Sequence, residues 1–201
     1  MLIVFDLDGT VVDSSAALLK AHEVAWASVG RPSPEAGKIL DLIGLPLIET
    51  MQRLCPEEDP HALAKAYSKA YVEASDYEKL FDGMRELFAK PFMAAVATGK
   101  SQRGAERVIK KFGFEKRFEV VLGANSVARP KPNPDLLYAI MENTGIKDLL
   151  MVGDTTYDLE MAHLAGVKAI GVSWGHHSVK RLKKWAPVVN TVAELEKALE
   201  L

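Results

Sequence analysis

The stretch MLIVFDLDGT, Met1 to Thr10, decides how the rest of the chain is read. Leu2 to Phe5 is a short continuous apolar run, the pattern of a strand buried on both faces. It leads into Asp6-Leu7-Asp8-Gly9-Thr10, a loop sequence carrying two carboxylates. Their i, i+2 spacing places both just past the strand's end, where open α/β sheets bind ligands. Gly9 permits a sharp backbone turn there. Taken alone, the acidic pair also fits incidental loop acids or plain metal ligands, so its meaning rests on the chain that follows.

The whole chain of 201 residues is 48% hydrophobic and 26% charged, the profile of a soluble globular protein of one or two domains. Lysine and arginine number 25 against 27 acids, so no large field points to nucleic acid or to a membrane. The short basic run Lys180, Arg181, Lys183, Lys184 reads as a solvated helix face. A single cysteine, Cys55, excludes an internal disulfide and fits a reducing, cytoplasmic setting. The first apolar run lacks a basic leader and is broken by Asp6 and Asp8, unlike a signal peptide. No stretch is long and apolar enough to span a bilayer.

Downstream of Asp13 and Ser14, two candidate helix N-caps, the pattern is helical for a long way. Helices are expected from there to Val29, over Glu35 to Leu42, Leu47 to Leu54, and Asp59 to about Glu78. Ile43-Gly44-Leu45-Pro46 forms a turn between two of them. A simple crossover between parallel strands needs far less chain. The economical arrangement is a helical subdomain, 14–80, inserted into a core made of 1–13 and 81–201. After it, strands at Phe92 to Ala97, Phe118 to Leu122, Leu149 to Val152, Ala169 to Val172 and Val188-Val189 alternate with helices. That alternation argues an α/β fold with a doubly wound parallel sheet.

Three later loops carry polar residues of one kind. Thr98-Gly99-Lys100-Ser101 follows a strand and opens a helix, and a hydroxyl with free N–H groups there suits a phosphate oxygen or a simple cap. Arg129-Pro130-Lys131-Pro132-Asn133-Pro134 holds a lysine on a stiff loop, a positioned point charge. Gly153-Asp154-Thr155-Thr156-Tyr157-Asp158 adds two acids at another strand end, oxygen ligands for a hard cation such as Mg²⁺. Asp158 also fits a helix-start cap. Asp6, Asp8 and Asp154 packed together would repel unless a cation and Lys131 offset them.

In order and spacing, DxDGT, the Thr98 loop, Lys-Pro-x-Pro and GDxxxD resemble the four motifs of the haloacid-dehalogenase-like hydrolases, over Met1 to about Trp174. The resemblance implies a Rossmann-like core, often with a helical cap in the slot after the first strand. It implies Asp6 as phosphoryl-accepting nucleophile and Asp8 as general acid and base. It implies Thr98, with Gly99, and Lys131 as phosphate-binding groups, Lys131 also balancing charge. Mg²⁺ would be held by Asp6, by the Asp8 backbone carbonyl and by Asp154, with Asp158 behind them holding water or Lys131.

DGTVVDS, the Gly44 turn, Ala97-Thr98-Gly99-Lys100-Ser101 and Gly171-Val172-Ser173-Trp174-Gly175-His176 are similar to the phosphoglycolate-phosphatase-like branch. The expected activity is therefore a Mg²⁺-dependent phosphatase for a small phosphate monoester, in a monomer or homodimer. A phosphotransferase or sugar-phosphate mutase, a pyrophosphatase, and a non-catalytic phosphate-binding regulator remain alternatives. Lys100 is expected to be solvated, with reach to the substrate as the alternative; Arg53 to lie on the surface, with carboxylate binding as the alternative; and His176 and His177 to be solvated or capping. The Gly44 turn is expected to link helices, with substrate contact through its N–H groups as the alternative.

Overall fold

Four residues, Leu2–Phe5, make the first strand, β1, and it lies inside the sheet rather than at an edge. The computed structural model describes all 201 residues. After β1 come β2 (Val12–Asp13), then α1 (Ser15–Ala27), α2 (Ala36–Leu40), α3 (Leu47–Leu54) and α4 (Pro60–Glu73), and β3 (Lys79–Leu80). The chain continues through α5 (Met84–Phe88), β4 (Ala94–Ala97), α6 (Gln102–Lys111), β5 (Val121–Leu122), α7 (Asp135–Thr144) and β6 (Leu149–Gly153). It ends with α8 (Thr156–Leu164), β7 (Lys168–Val172), α9 (Val179–Leu182), β8 (Val188–Val189) and α10 (Val192–Ala198).

Six strands pair in the order β5-β4-β1-β6-β7-β8, all parallel. The chain moves outward from β1 to β4 and β5, then returns to β6 on the other side. The winding direction therefore reverses between β1 and β6, and the loops after those two strands open at the same sheet edge. Open α/β sheets bind ligands at such a reversal.

Strand periodicity explains why both faces are covered. Ile3 and Phe5 point into one apolar cluster with residues of α5, α6 and α10, while Leu2 and Val4 point into another with α7 and α8. All four are at most 3% exposed. Each such side chain contributes roughly 1.5–3 kcal/mol by leaving water.

Helices α1 to α4 form a separate layer with its own core. Its 14 buried residues, among them Leu18, Trp26, Met51, Leu63 and Tyr67, all come from positions 17 to 74. Asp59 starts α4 by accepting from the His61 N–H at 2.9 Å, with Pro60 in the first turn. The expected long helix over Asp59 to Glu78 stops at Glu73; a 3₁₀ turn follows and leads into β3. Just past this turn lies Glu78, a buried carboxylate held by three groups. Tyr71 Oη donates to it at 2.7 Å, Arg107 Nη2 at 3.1 Å and Lys111 Nζ at 3.2 Å. Arg107 and Lys111 belong to α6, so Glu78 ties the helical layer to the sheet layer.

The sequence reading did not include β2 and β3. They pair antiparallel, Val12 with Leu80 and Asp13 with Lys79, where the chain leaves and re-enters the sheet layer.

Candidate active site

The loop after β1 is closed on one carbonyl. Leu7 O accepts from Val11 and Val12 N–H, both at 2.9 Å, and from Thr10 N–H at 3.3 Å. Gly9 takes the left-handed backbone that this turn needs, φ 81°. It also makes room: a Cβ at Gly9 would lie 2.2 Å from Asp154 Oδ2. Asp6 still pairs with the sheet, donating its N–H to Val152 O at 3.0 Å, so its side chain sits at the β1–β6 reversal.

Asp6, Asp8, Thr98, Lys131, Asp154 and Asp158 are all buried, and the structure brings them together. Lys131 Nζ lies 2.9 Å from Asp6 Oδ1 and 2.5 Å from Asp158 Oδ1. Asp158 has a second task. Its Oδ2 accepts from the Thr155 hydroxyl at 2.7 Å and the Thr155 N–H at 3.0 Å, which closes the start of α8. The two readings of Asp158, helix cap and partner of Lys131, hold together.

Asp154 Oδ1 accepts from the Thr10 hydroxyl at 2.8 Å. Its Oδ2 accepts from the His176 N–H at 2.8 Å and lies 2.9 Å from His176 Nδ1. Thr98 ends β4 with its N–H on Leu122 O, and its hydroxyl accepts from the Lys100 N–H at 3.3 Å. Gly99 lies so close to the Gly44 turn that a Cβ there would be 2.4 Å from Gly44 O.

Electrostatics separate Asp6 from Asp154. Burial lifts the Asp6 carboxyl to about 7; Lys131 opposes this, while Asp158, Asp154 and Asp8 add to it. Burial also acts to raise Asp154, but the His176 contacts and the Thr10 hydroxyl outweigh it and hold Asp154 below the usual range. Burial pulls the Lys131 ammonium down, and Asp158 and Asp6 together more than reverse that.

The donor set fits a hard divalent cation. One carboxylate oxygen each from Asp6, Asp154 and Asp158 fall within 4.8 Å of one another. Asp6 Oδ2 has no hydrogen-bond partner and Oδ1 meets only the Lys131 ammonium, while Asp154 Oδ1 keeps a lone pair beside its one bond. Asp158 is already engaged by Lys131 and Thr155, which suits support better than ligation. The Asp8 side chain faces elsewhere, toward Lys100 and Ser14.

Several expectations for single residues are corrected. Lys100 is not solvated: its side chain is 10% exposed and Nζ lies 2.9 Å from Asp8 Oδ2. The same Nζ donates to Tyr71 Oη at 2.9 Å, across to the helical layer. Ser14 does not cap α1 with its side chain but donates to Asp8 Oδ1 at 2.5 Å. His176 is buried against Asp154 rather than in solvent. His177 does cap, accepting from the Thr156 N–H at 2.9 Å at the start of α8. Arg53 lies at the surface, paired with Glu49. A cavity of about 60 Å³ lies over Asp6, Asp8, Thr98, Gly99 and Lys100, roofed by α1, α3, α4 and the Gly44 turn.

Comparison with known proteins agrees with this geometry. The chain is 34% identical to "Probable phosphatase IndB" of Dickeya dadantii, over 96% of its own length and 91% of that protein. It is 31% identical to the tyrosine-protein kinase PtkA of Mycobacterium tuberculosis, over 98% of its length and 72% of that protein. The crystal structure of a predicted phosphoglycolate phosphatase from Haemophilus somnus superimposes with a TM-score of 0.88 at 25% identity, covering 98% of this chain and 97% of that one. Residues 3–172 match the haloacid dehalogenase-like hydrolase family, and the chain belongs to it.

Proposed function

We propose that the chain is a Mg²⁺-dependent phosphatase for a small phosphate monoester, phosphoglycolate-phosphatase-like, working through an aspartyl-phosphate on Asp6. One observation carries the reading: Asp6, Asp8, Thr98 and Lys100 face one cavity, with Lys131, Asp154 and Asp158 directly beneath or behind it. The phosphatase name of the Dickeya relative supports it. Helices within 14–80 act as a cap over that cavity.

Asp6 attacks phosphorus in line, the P–O bond to the leaving group breaks, and an acyl phosphate forms on the Asp6 carboxylate. Asp8 gives a proton to the departing oxygen and later takes one from the water that releases phosphate. Thr98 and Lys131 hold the equatorial oxygens. Asp6, the Asp8 carbonyl and Asp154 would hold Mg²⁺, which would supply positive charge between an anionic nucleophile and an anionic substrate.

The test is phosphate release from a panel of small esters and pyrophosphate, with Mg²⁺ and with chelator, for the wild type and Asp6→Asn. Release that needs both Mg²⁺ and Asp6 supports the reading; a near-normal rate in Asp6→Asn refutes the nucleophile. The kinase name of the mycobacterial relative favours one second reading, transfer of the phosphoryl group to another hydroxyl. Product analysis, free against transferred phosphate, separates the two.

A further inference from the structure

The cap's side of the cavity is mostly aliphatic, broken by three polar residues: His22 of α1, Thr50 of α3 and Tyr67 of α4. No lysine or arginine of the cap lines it. The one lining cation is Lys100 of the core, and it is engaged by Asp8 and Tyr71. A leaving group bearing a carboxylate would therefore meet Asp6 and Asp8, whose cationic partners Lys131 and Lys100 are already engaged by those carboxylates.

A neutral hydroxyl meets no such penalty, and the cap offers it partners. His22 is 1% exposed, and its Nδ1 is buried with no hydrogen-bond partner in the protein. Native interiors rarely leave such an atom unpaired. The ring is fixed against Tyr67, centroids 4.9 Å apart. Burial keeps the imidazole neutral at pH 7, lowering its pKa to about 4. A neutral imidazole has one donor and one acceptor nitrogen, as a hydroxyl both donates and accepts. The nearby Gly44 turn presses its carbonyls, acceptors rather than donors, toward Gly99. The cavity, about 60 Å³, favours a small leaving group over a large one.

Resting on the phosphatase reading, we infer that the cap selects phosphate esters of a short, uncharged, hydroxyl-bearing alcohol, with His22 as the specificity-determining hydrogen-bond partner of that hydroxyl.

A matched pair of substrates tests this: 2-hydroxyethyl phosphate and 2-phosphoglycolate, equal in length and differing in a hydroxymethyl against a carboxylate. The wild type should favour the hydroxyethyl ester in kcat/KM by at least about tenfold. His22→Leu should cut that ratio about fivefold, the scale of one neutral hydrogen bond, and His22→Gln should restore part of it. His22→Gln also carries the test if His22→Leu folds poorly. A wild-type preference for 2-phosphoglycolate overturns the inference. So does a ratio that His22→Leu leaves unmoved, or a fall of both esters by the same factor, as a merely structural role would give. Turnover of either ester in those cases leaves the phosphatase reading standing, whereas no release from any ester of the wider panel removes both.

Discussion

Replacing His22 by phenylalanine should change how stability depends on pH, and by an amount that the structure lets one work out. His22 is buried on α1 at the wall of the cavity, and burial lowers its pKa from 6.5 to about 4. The folded state thus refuses a proton that the unfolded chain accepts. Stability on this account is full above about pH 7, falls as pH drops through 6.5, and stops falling below about 4. The difference of about 2.5 units, at roughly 1.4 kcal/mol each, sets a total near 3 kcal/mol. At pH 5 about 2 kcal/mol of that is already lost. His22→Phe keeps an aromatic ring against Tyr67 and cannot titrate. Urea unfolding of both proteins at pH 7.5 and pH 5.0 isolates the histidine, because all other titrations cancel in the difference. The variant should gain about 2 kcal/mol relative to wild type on going to pH 5.0. A relative gain below about 0.5 kcal/mol would show that His22 reaches solvent or a partner when folded, and would refute the reasoning.

Three further outcomes follow from the site and its supports. Lys131→Met removes the ammonium between Asp6 and Asp158; turnover at saturating Mg²⁺ should fall about 10²–10³-fold, and a loss under tenfold counts against its place on the phosphoryl oxygens. Glu78→Gln weakens the tie among Tyr71, Arg107 and Lys111; the urea midpoint should drop by an amount worth about 1–2 kcal/mol, since both cations sit near enough to water to be resolvated. Mg²⁺ should raise the melting temperature with increasing concentration, about 2.7 kcal/mol at a hundredfold excess over its Kd. Asp154→Asn should abolish that rise, and an undiminished rise would place the ion elsewhere.

The sheet and the acidic loops were legible because they depend on local patterns. Leu2 to Phe5 is too apolar for anything but a doubly covered strand, and Asp6 to Thr10 can only follow it. Glycines and prolines mark most helix ends, such as Gly113, Gly145 and Gly166. The end of α4 at Glu73 has no glycine or proline after it to mark it, and the ties of Glu78 to Arg107 and Lys111 join positions far apart in the chain. Lys100 was misplaced for the same reason. A lysine after a strand usually reaches water, and only the meeting of α4 with the β4 loop sets Tyr71 above it and Asp8 beside it. His176 offered a weak signal, a histidine just past a strand end. Its partner Asp154 stands 22 positions away and meets it only because β6 and β7 are neighbours. Two-residue strands such as β2 and β3 have no periodicity to detect.

That short ribbon has a consequence for how such a molecule can be altered. Val12–Asp13 and Lys79–Leu80 leave and rejoin the sheet layer as a hydrogen-bonded pair. Topologically, everything between them is one long loop hung from a two-rung ladder. Doubling the length of a flexible loop costs only about 0.6 kcal/mol of closure entropy, so the joint tolerates inserts of very different size. A replacement insert has to match these two backbone pairs and the contacts that Glu78, Tyr71 and the Gly44 turn make with the sheet layer, while the strand order that positions Asp6, Lys131 and Asp154 lies outside it. The sheet layer and the helical layer are thus joined at this ribbon and by the side-chain ties of Glu78 to α6 and of Lys100 to Tyr71.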